Sequence, residues 1–208
     1  MGSHQASKPA GAVALPDERG PLSYAVAAAQ GPVRLHYMPP PERLRLYFGS
    51  LYHFSVTADS YADATRADVP QLRFMLSGNG HYQFQDGAKV ATPTVCLLGP
   101  TMGATRFVLN GPARVLGISL LPAGWRSLCG QDASDLADRL LDFTDVHEGV
   151  FAALLDRLRD MDAADGDAMA DLIWTQLGRI VQPLRKATWE LLAAVDAWLI
   201  GEGSPRIE

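Results

Sequence analysis

The sequence has few cysteines, no long apolar run and no excess of positive charge, and each absence narrows the function. The longest apolar stretch, around residues 115–121, is interrupted by Gly117 and Ser119, whereas a membrane-spanning helix needs about 20 apolar residues. The formal net charge of -5 argues against nucleic-acid binding by these residues, which normally requires a basic face. We therefore expect no membrane partner and no DNA binding by this chain alone.

The sequence also shows no sign of a metal site or redox pair built on cysteine. Cys96 and Cys129 are the only cysteines of the sequence, and their spacing matches neither a zinc site nor a redox pair. A disulfide between them and two reduced thiols both fit the sequence, and we expect two reduced thiols. Residues 1–30 contain no apolar segment flanked by positive charge, the mark of a secretory signal, so the sequence predicts a cytoplasmic protein.

Catalytic motifs are also missing from the sequence. There is no Gly-x-Ser-x-Gly elbow, and the glycine-containing stretch 99–103 lacks the Lys-Ser/Thr ending of a phosphate-binding loop. Metal-binding β-barrels place two histidines one residue apart on a strand and a glutamate after them, but His81 is followed by Gln83 and Gln85. We therefore expect no catalytic residue, no metal site and no cofactor, and we expect that the chain is not an enzyme.

The residues that are abundant predict a β-rich first half. Aromatic and β-branched residues alternate with polar ones in several short segments, for example around Tyr82 and Phe84, which is the period of a half-buried strand. Turn signals recur about every 8–12 residues, a spacing typical of an antiparallel sandwich or barrel. We expect a hairpin turn at Gly78-Asn79-Gly80 and a break between strands at Asn110-Gly111-Pro112. The expected strands cover residues 47–57, 72–76, 81–85, 89–90, 94–98, 105–109 and 113–121.

After Pro122 the period of the apolar residues becomes helical. Short helices are predicted over residues 124–128 and 133–141, and three longer apolar stripes follow over residues 150–161, 169–181 and 189–199. One helical face must cover the barrel, but three amphipathic helices carry more apolar surface than that task needs. We therefore expect a homodimer whose interface contains Leu172, Ile173, Leu177 and Ile180.

The aromatic residues of the predicted strands are the candidate ligand-binding residues. A barrel of this size is either packed solid or holds one small ligand, and the sequence leaves both alternatives open. The polar tips of Tyr52 and Tyr82, with Arg73 or Arg106 near a mouth, suit a small ligand that has one polar group. The candidate ligand-binding set is Phe48, Tyr52, Phe54, Phe74, Tyr82, Phe84 and Phe107.

The order of these features resembles the AraC family of transcription regulators. The matching segments are Pro39-Pro40-Pro41 with the strand after it, Ser77-Gly78-Asn79-Gly80, Leu97-Leu98-Gly99-Pro100, residues 117–124, and residues 195–200 followed by Arg206-Ile207-Glu208. The resemblance covers about residues 30–208. It implies an α+β fold, in which an N-terminal cupin-like antiparallel β-barrel senses a small molecule and a helical segment follows it.

The resemblance also divides the chain into parts. It implies a leader over residues 1–30, whose first residues look like a vector scar, a sensor barrel over 31–122, and a helical dimerisation segment over 123–183. Residues 184–208 would be the first helix of a helix-turn-helix domain and the start of the second. DNA would be bound only through the rest of that C-terminal domain.

The function implied by the resemblance is ligand sensing and dimerisation in a bacterial transcription regulator. Its partners would be a small-molecule effector, which the sequence does not identify, and a second copy of the chain. Two other hypotheses stay open. The first is a small cupin-like metalloenzyme that uses His53, His81 and His36, and the second is a protein-binding module with a solid barrel.

Overall fold

The computed structural model describes residues 26–200, which form one antiparallel sheet followed by helices. The strands are β1 (Val26–Gln30), β2 (Val33–Met38), β3 (Phe48–Val56), β4 (Ser60–Thr65), β5 (Gln71–Gln83), β6 (Lys89–Ala91), β7 (Val95–Leu98), β8 (Thr105–Leu120) and β9 (Leu140–Asp142). The helices are α1 (Pro122–Leu128), α2 (Val150–Asp160), α3 (Gly166–Ile180) and α4 (Lys186–Ile200), and a 3-10 turn (Glu42–Leu44) precedes β3. The predicted α+β class, with the sheet first and the helices after it, is confirmed.

Two long strands organise the sheet. Its strands pair in the order β1-β2-β3-β8-β5-β7-β9, with β4 added to β8 and β6 added to β5. The second half of β8 pairs with β3 and its first half pairs with β4, while both halves pair with β5. Within residues 26–200 this path does not return to its start, so the predicted barrel is an open sheet in its hydrogen bonding.

Two predicted breaks lie inside continuous strands. The hairpin turn predicted at Gly78-Asn79-Gly80 is wrong, because these residues continue β5 and the register of the sheet shifts there instead. Gly78 has a φ of +78°, and a Cβ on it would lie 2.7 Å from the Ala113 Cβ, so this irregularity requires glycine. The predicted break at residues 110–112 lies inside β8. The Asn110 amide donates a 2.7 Å hydrogen bond to Asn79 Oδ1, which joins the two irregular segments.

The helices α2, α3 and α4 occupy the three predicted apolar stripes, but one shorter prediction fails. Residues 133–141 are not a helix, because they form turns and then enter β9, which pairs with β7 at the edge of the sheet. Asp138 has a φ of +53°, and a left-handed residue interrupts a right-handed helix. Its carboxylate accepts a 2.9 Å hydrogen bond from the Met102 N–H, which ties this turn to the preceding loop.

The main core lies between the sheet and the helices, and it changes the prediction for the dimer interface. Ile173 and Leu177 of α3 are 0% exposed and pack in this core. They have no surface left for a second copy, so their assignment to a dimer interface is wrong. Leu172 and Ile180 are half-buried against the same core. The homodimer itself stays a prediction.

Some sequence-based predictions fall partly beyond these elements. The predicted leader ends in β1, which pairs with β2 along its length, and its earlier part, residues 1–25, lies outside the described residues. The predicted start of a second DNA-binding helix, residues 204–208, also lies outside them. Among the described helices, none combines the length and the apolar character needed to cross a membrane.

Candidate functional site: a cavity with one buried arginine

A cavity of about 250 Å³ lies on the side of the sheet that faces away from the helices. Strands β2, β3, β5 and β8 supply most of its wall. Because successive side chains of a strand point to opposite faces, residues that line the cavity alternate with residues of the main core. The lining residues are Leu35, Tyr37, Tyr52, Phe54, Asp63, Ala64, Thr65, Asp68, Gln71, Arg73, Met75, Tyr82, Thr92, Pro93, Cys96, Phe107, Leu109 and Val115.

Four of the seven predicted ligand-binding residues meet in this cavity: Tyr52, Phe54, Tyr82 and Phe107. The ring centroids of Phe54 and Phe107 are 6.3 Å apart, and those of Tyr82 and Phe107 are 6.1 Å apart. Aromatic rings at such distances and tilts pack favourably. Together they form an aromatic wall along one side of the cavity.

Phe48, Phe74 and Phe84 do not line the cavity. Phe48 and Phe74 face the helices and belong to the main core, whereas Phe84 follows the end of β5 and stacks on Tyr82. The register shift inside β5 explains part of this outcome. A slip of one residue moves a side chain to the opposite face, so Phe74 and Tyr82, both at even positions, lie on opposite faces of the sheet.

Arg73 is a buried charge in the wall of the cavity. It is 7% exposed, and its Nε and Nη2 donate hydrogen bonds to Gln71 Oε1 at 3.0 and 2.8 Å. Its Cζ lies 5.1 Å from the ring centroid of Tyr82. Among residues 26–200 no carboxylate forms an ion pair with it. The other predicted arginine, Arg106, is exposed on β8 and is not part of the lining.

Gln71 connects the polar groups of the cavity, although it is not among the sequence-predicted residues. Its Oε1 also accepts a 2.9 Å hydrogen bond from the Tyr52 hydroxyl, and its Nε2 donates to Asp68 Oδ2 at 2.6 Å. Gln71 is itself buried. The signal for it was present in the sequence, since a polar residue two positions before Arg73 in an otherwise apolar strand shares the face of Arg73.

Tyr52 is held in a fixed place by its backbone neighbour. A Cβ on Gly117, which pairs with Tyr52 across β3 and β8, would lie 2.1 Å from the Tyr52 ring. Glycine is therefore required for the ring to lie flat against β8. Burial raises the pKa of Tyr52 above its usual value, although Arg73 opposes this effect. The phenol therefore stays protonated at neutral pH and acts as a hydrogen-bond donor.

Four further residues with polar groups or a thiol line the cavity: Thr92, Cys96, Asp63 and Asp68. Thr92 Oγ1 is buried and has no hydrogen-bond partner in the described residues. The Cys96 thiol is buried, and burial raises its pKa to about 11, so it is not a thiolate at neutral pH. Cys96 and Cys129 are not bonded to each other. Asp63 and Asp68 are exposed and lie on the solvent side of the cavity.

The three histidines of the metalloenzyme hypothesis do not come together. His36 and His53 are cross-strand neighbours on β2 and β3, but His81 lies on β5 opposite Ala91 and Val108. Over residues 26–200 no three His, Cys, Asp or Glu side chains are placed to hold one metal ion. The donor set therefore does not fit the metal site that the hypothesis requires.

His36 and His53 instead line a second, smaller cavity of about 170 Å³ with residues 163–167. His53 Nε2 is buried there without a hydrogen-bond partner in the described residues. Burial, followed by the nearby charges of Arg114 and His36, lowers the pKa of His53 to about 4. His53 is therefore neutral in the folded protein near pH 7.

Comparisons with known proteins show no family for this chain. No protein-family model matches the chain, and no curated protein sequence matches it. Among solved structures it is similar to the pirin YhhW of Escherichia coli, determined in complex with nickel(II), at 13% identity and a TM-score of 0.37, over 47% of this chain and 48% of the pirin. It is also similar to Pac13, a nucleoside dehydratase, at 11% identity and a TM-score of 0.33, over 47% of this chain and 77% of Pac13. A third similar structure is apo-HppE, at 13% identity and a TM-score of 0.35, over 46% of this chain and 54% of HppE.

The TM-scores of all three structures lie below 0.5, and each likeness covers about half of this chain. The chain spans about half the length of the pirin, 48%, and none of the comparisons supports membership of the AraC family. They do correct the prediction that the chain is not an enzyme. The similar structures include Pac13, a nucleoside dehydratase.

Proposed function

We propose that this chain is a ligand-binding domain that accepts a small, mostly apolar molecule in the 250 Å³ cavity. The cavity itself carries the proposal, because aromatic and aliphatic walls with a few convergent polar groups are the usual composition of a small-molecule site. An apolar cavity of about 150 Å³ in another protein is enough to bind benzene. A single ring with a short polar substituent therefore fits here.

We further propose that binding is used for sensing, as the resemblance to AraC-type regulators implies. Strand β3 links the cavity to the helices, since its residues Tyr52 and Phe54 line the cavity and Tyr47 lies just before it. The Tyr47 hydroxyl donates to the Gln182 carbonyl at 2.9 Å and accepts from the Leu184 N–H at 3.0 Å. These bonds attach the segment between α3 and α4 to the start of β3.

A second link runs from the same place to α4. Arg45 forms a 3.2 Å ion pair with Asp196, and its guanidinium lies 6.0 Å from the ring centroid of Trp189. Suppose that β3 has two positions and that the ligand binds one conformation more tightly than the other. Binding would then shift the equilibrium between two arrangements of α4, because a ligand shifts a conformational equilibrium only through such a difference in affinity. In this proposal α4 begins a DNA-binding domain whose remainder lies outside these 208 residues, and the protein is cytoplasmic.

Blocking the cavity tests the ligand-binding proposal. A panel of single-ring compounds is titrated by calorimetry into the wild-type chain, into Val115→Phe, which fills the cavity, and into Val108→Phe, which changes the same strand outside the lining. We expect saturable binding that Val115→Phe abolishes and Val108→Phe preserves. Failure of the whole panel to bind, or equal binding by Val115→Phe, would overturn the proposal.

Hydrogen exchange tests the sensing proposal separately. With a bound compound from that panel, we expect altered exchange of backbone amides in residues 182–196, because the bonds of Tyr47 and Arg45 connect them to β3. Exchange that changes only in the strands around the cavity would support binding and contradict sensing through α4.

A second candidate function is an enzyme that acts on the molecule bound in the same cavity. Tyr52 favours it, because it lines the cavity and its phenol can donate a hydrogen bond to an oxygen of the bound molecule on which charge develops. Mass spectrometry of bound compounds after incubation with the protein tests this candidate. A product formed by the wild type and not by Tyr52→Phe supports catalysis, whereas compounds recovered unchanged from the wild type contradict it.

A further inference from the structure

We infer that the ligand of the cavity carries a single carboxylate that pairs with Arg73, an inference that rests on the proposed function and names its ligand class. The Arg73 guanidinium is buried at 7% exposure. Its Nε and Nη2 share one acceptor, Gln71 Oε1, and its Nη1 has no hydrogen-bond partner in the described residues. A guanidinium presents five N–H donors in a planar fork that matches a carboxylate.

The surroundings of Arg73 do not neutralise its charge. The Gln71 amide is neutral, and the Tyr82 ring, 5.1 Å away, provides only a cation–π contact. Burying a charge is costly unless a counter-charge accompanies it. A ligand carboxylate supplies a counter-charge in direct contact with Arg73, whereas Asp68, which also lines the cavity, reaches Arg73 only through the Gln71 amide.

Thr92 supplies an independent observation. Its Oγ1 is buried and has no hydrogen-bond partner in the described residues, and Thr92 lines the same cavity. Buried polar atoms are normally hydrogen-bonded, and one without a partner calls for an explanation. A threonine hydroxyl both donates and accepts, so it can donate to a carboxylate oxygen of the ligand or accept from a substituent on its ring.

The exposed side of the cavity limits the ligand to one negative charge. Asp63 accepts hydrogen bonds from the Tyr61 hydroxyl and the Ala64 N–H, and Asp68 accepts from Gln71 Nε2 and the Val69 N–H. Both carboxylates are held in place at the solvent side. Because like charges placed opposite each other oppose binding, a second anionic group at the outer end of a ligand is disfavoured. The apolar part of the ligand then packs against the aromatic wall.

Matched acids and amides test this inference with the wild-type protein. Benzoate, phenylacetate and 3-phenylpropionate are titrated by calorimetry against their uncharged amides, which have nearly the same shape. Since hydrogen bonds to charged groups are the stronger ones, we expect the best acid to bind roughly 10- to 100-fold more tightly than its amide. Equal binding of acid and amide would overturn the inference that the ligand carries a carboxylate, but it would leave the proposed ligand-binding function standing. Failure of every acid and amide to bind would overturn both.

Variants then assign the effect to Arg73. Arg73→Met, which removes the charge, is expected to abolish the preference for the acid over its amide. Arg106→Met, the exposed control on β8, is expected to leave this preference unchanged. If Arg73→Met does not fold, the comparison of acid with amide on the wild type still decides the inference. Isophthalate, which has two carboxylates, tests whether the ligand is limited to one negative charge. Binding as tight as that of benzoate would contradict this limit.

Discussion

The two faces of strand β5 are both buried in its first half, and they differ in polarity. Along β5, Leu72 and Phe74 are 0% exposed and pack against the helices, while Gln71 and Arg73, at 5% and 7%, line the cavity. The alternation of a strand therefore places two different environments on successive residues. Burial alone does not separate a core from a site in this protein. The polarity of the buried side chains does.

The two faces also differ in what holds them. On the helix side, Phe151 lies with its ring centroid 6.1 Å from that of Phe74 and 5.7 Å from that of Phe143, and dense apolar packing of this kind stabilises the fold. On the cavity side, hydrogen bonds connect Tyr52, Gln71 and Arg73 around an open volume. We infer that substitutions on the first face change stability, whereas substitutions on the second change binding.

The largest expected effect is that of Phe74→Ala. Removing a fully buried aromatic ring leaves a void that its neighbours refill only in part, and such changes cost about 3–5 kcal/mol in the free energy of unfolding. Met75→Ala, one residue along on the cavity face, removes a buried side chain from a smaller apolar cluster that also borders the cavity, and it should cost less. Urea denaturation of both variants measures the difference. Equal losses would mean that the cavity face is a second packed core.

Gly117→Ala is expected to have an intermediate effect and to act through Tyr52. The added methyl would lie 2.1 Å from the Tyr52 ring, so the ring must move and its bond to Gln71 must break. Overpacking of this kind costs about 1–3 kcal/mol, and the displaced ring also removes one of the groups that hold Gln71 next to Arg73. Urea denaturation and titration with the best-binding acid report the two losses. Gly49→Ala, where the new Cβ would lie 3.1 Å from the Ser119 Cβ, is the milder control.

The elements that the sequence predicts well are those whose period is local. The helical spacing of the stripe around Leu154 and Leu158 predicts that both residues share one face of a helix, and both lie on the buried face of α2. The alternation around Tyr82 identifies a strand. These patterns need no information from distant residues, because the period of a helix or strand relates neighbours along the chain.

The predictions that fail depend on distant pairing. Gly78 resembles a turn residue, but cross-strand bonds to β8 carry β5 through it, and the resulting register shift sends Phe74 to the core and Tyr82 to the cavity. Leu177 belongs to an apolar stripe whose period does not reveal whether the stripe meets the sheet or a second copy. The sequence indicates that Gln71 shares a face with Arg73, but only the fold shows that Tyr52, distant in sequence, donates to the same Oε1.

The smallest expected effect concerns His53, a polar exception on the helix-facing side, where the other titratable or charged groups are His36, Arg114, Asp165 and Asp167. The pKa of His53 is about 4 in the folded protein and about 6.5 when unfolded. Between these values the unfolded chain binds more protons, so this contribution to stability is complete above pH 6.5 and is lost as the pH falls through about 4. His53→Asn should therefore flatten the decline of the free energy of unfolding over this range, by on the order of 1 kcal/mol because the side chain is only partly buried. Urea denaturation at a series of pH values measures the decline, and His81→Asn, which removes an imidazole from a different part of the sheet, should leave it as steep as in the wild type. A wild-type decline no steeper than that of His53→Asn would show that His53 takes up its proton as readily when folded as when unfolded.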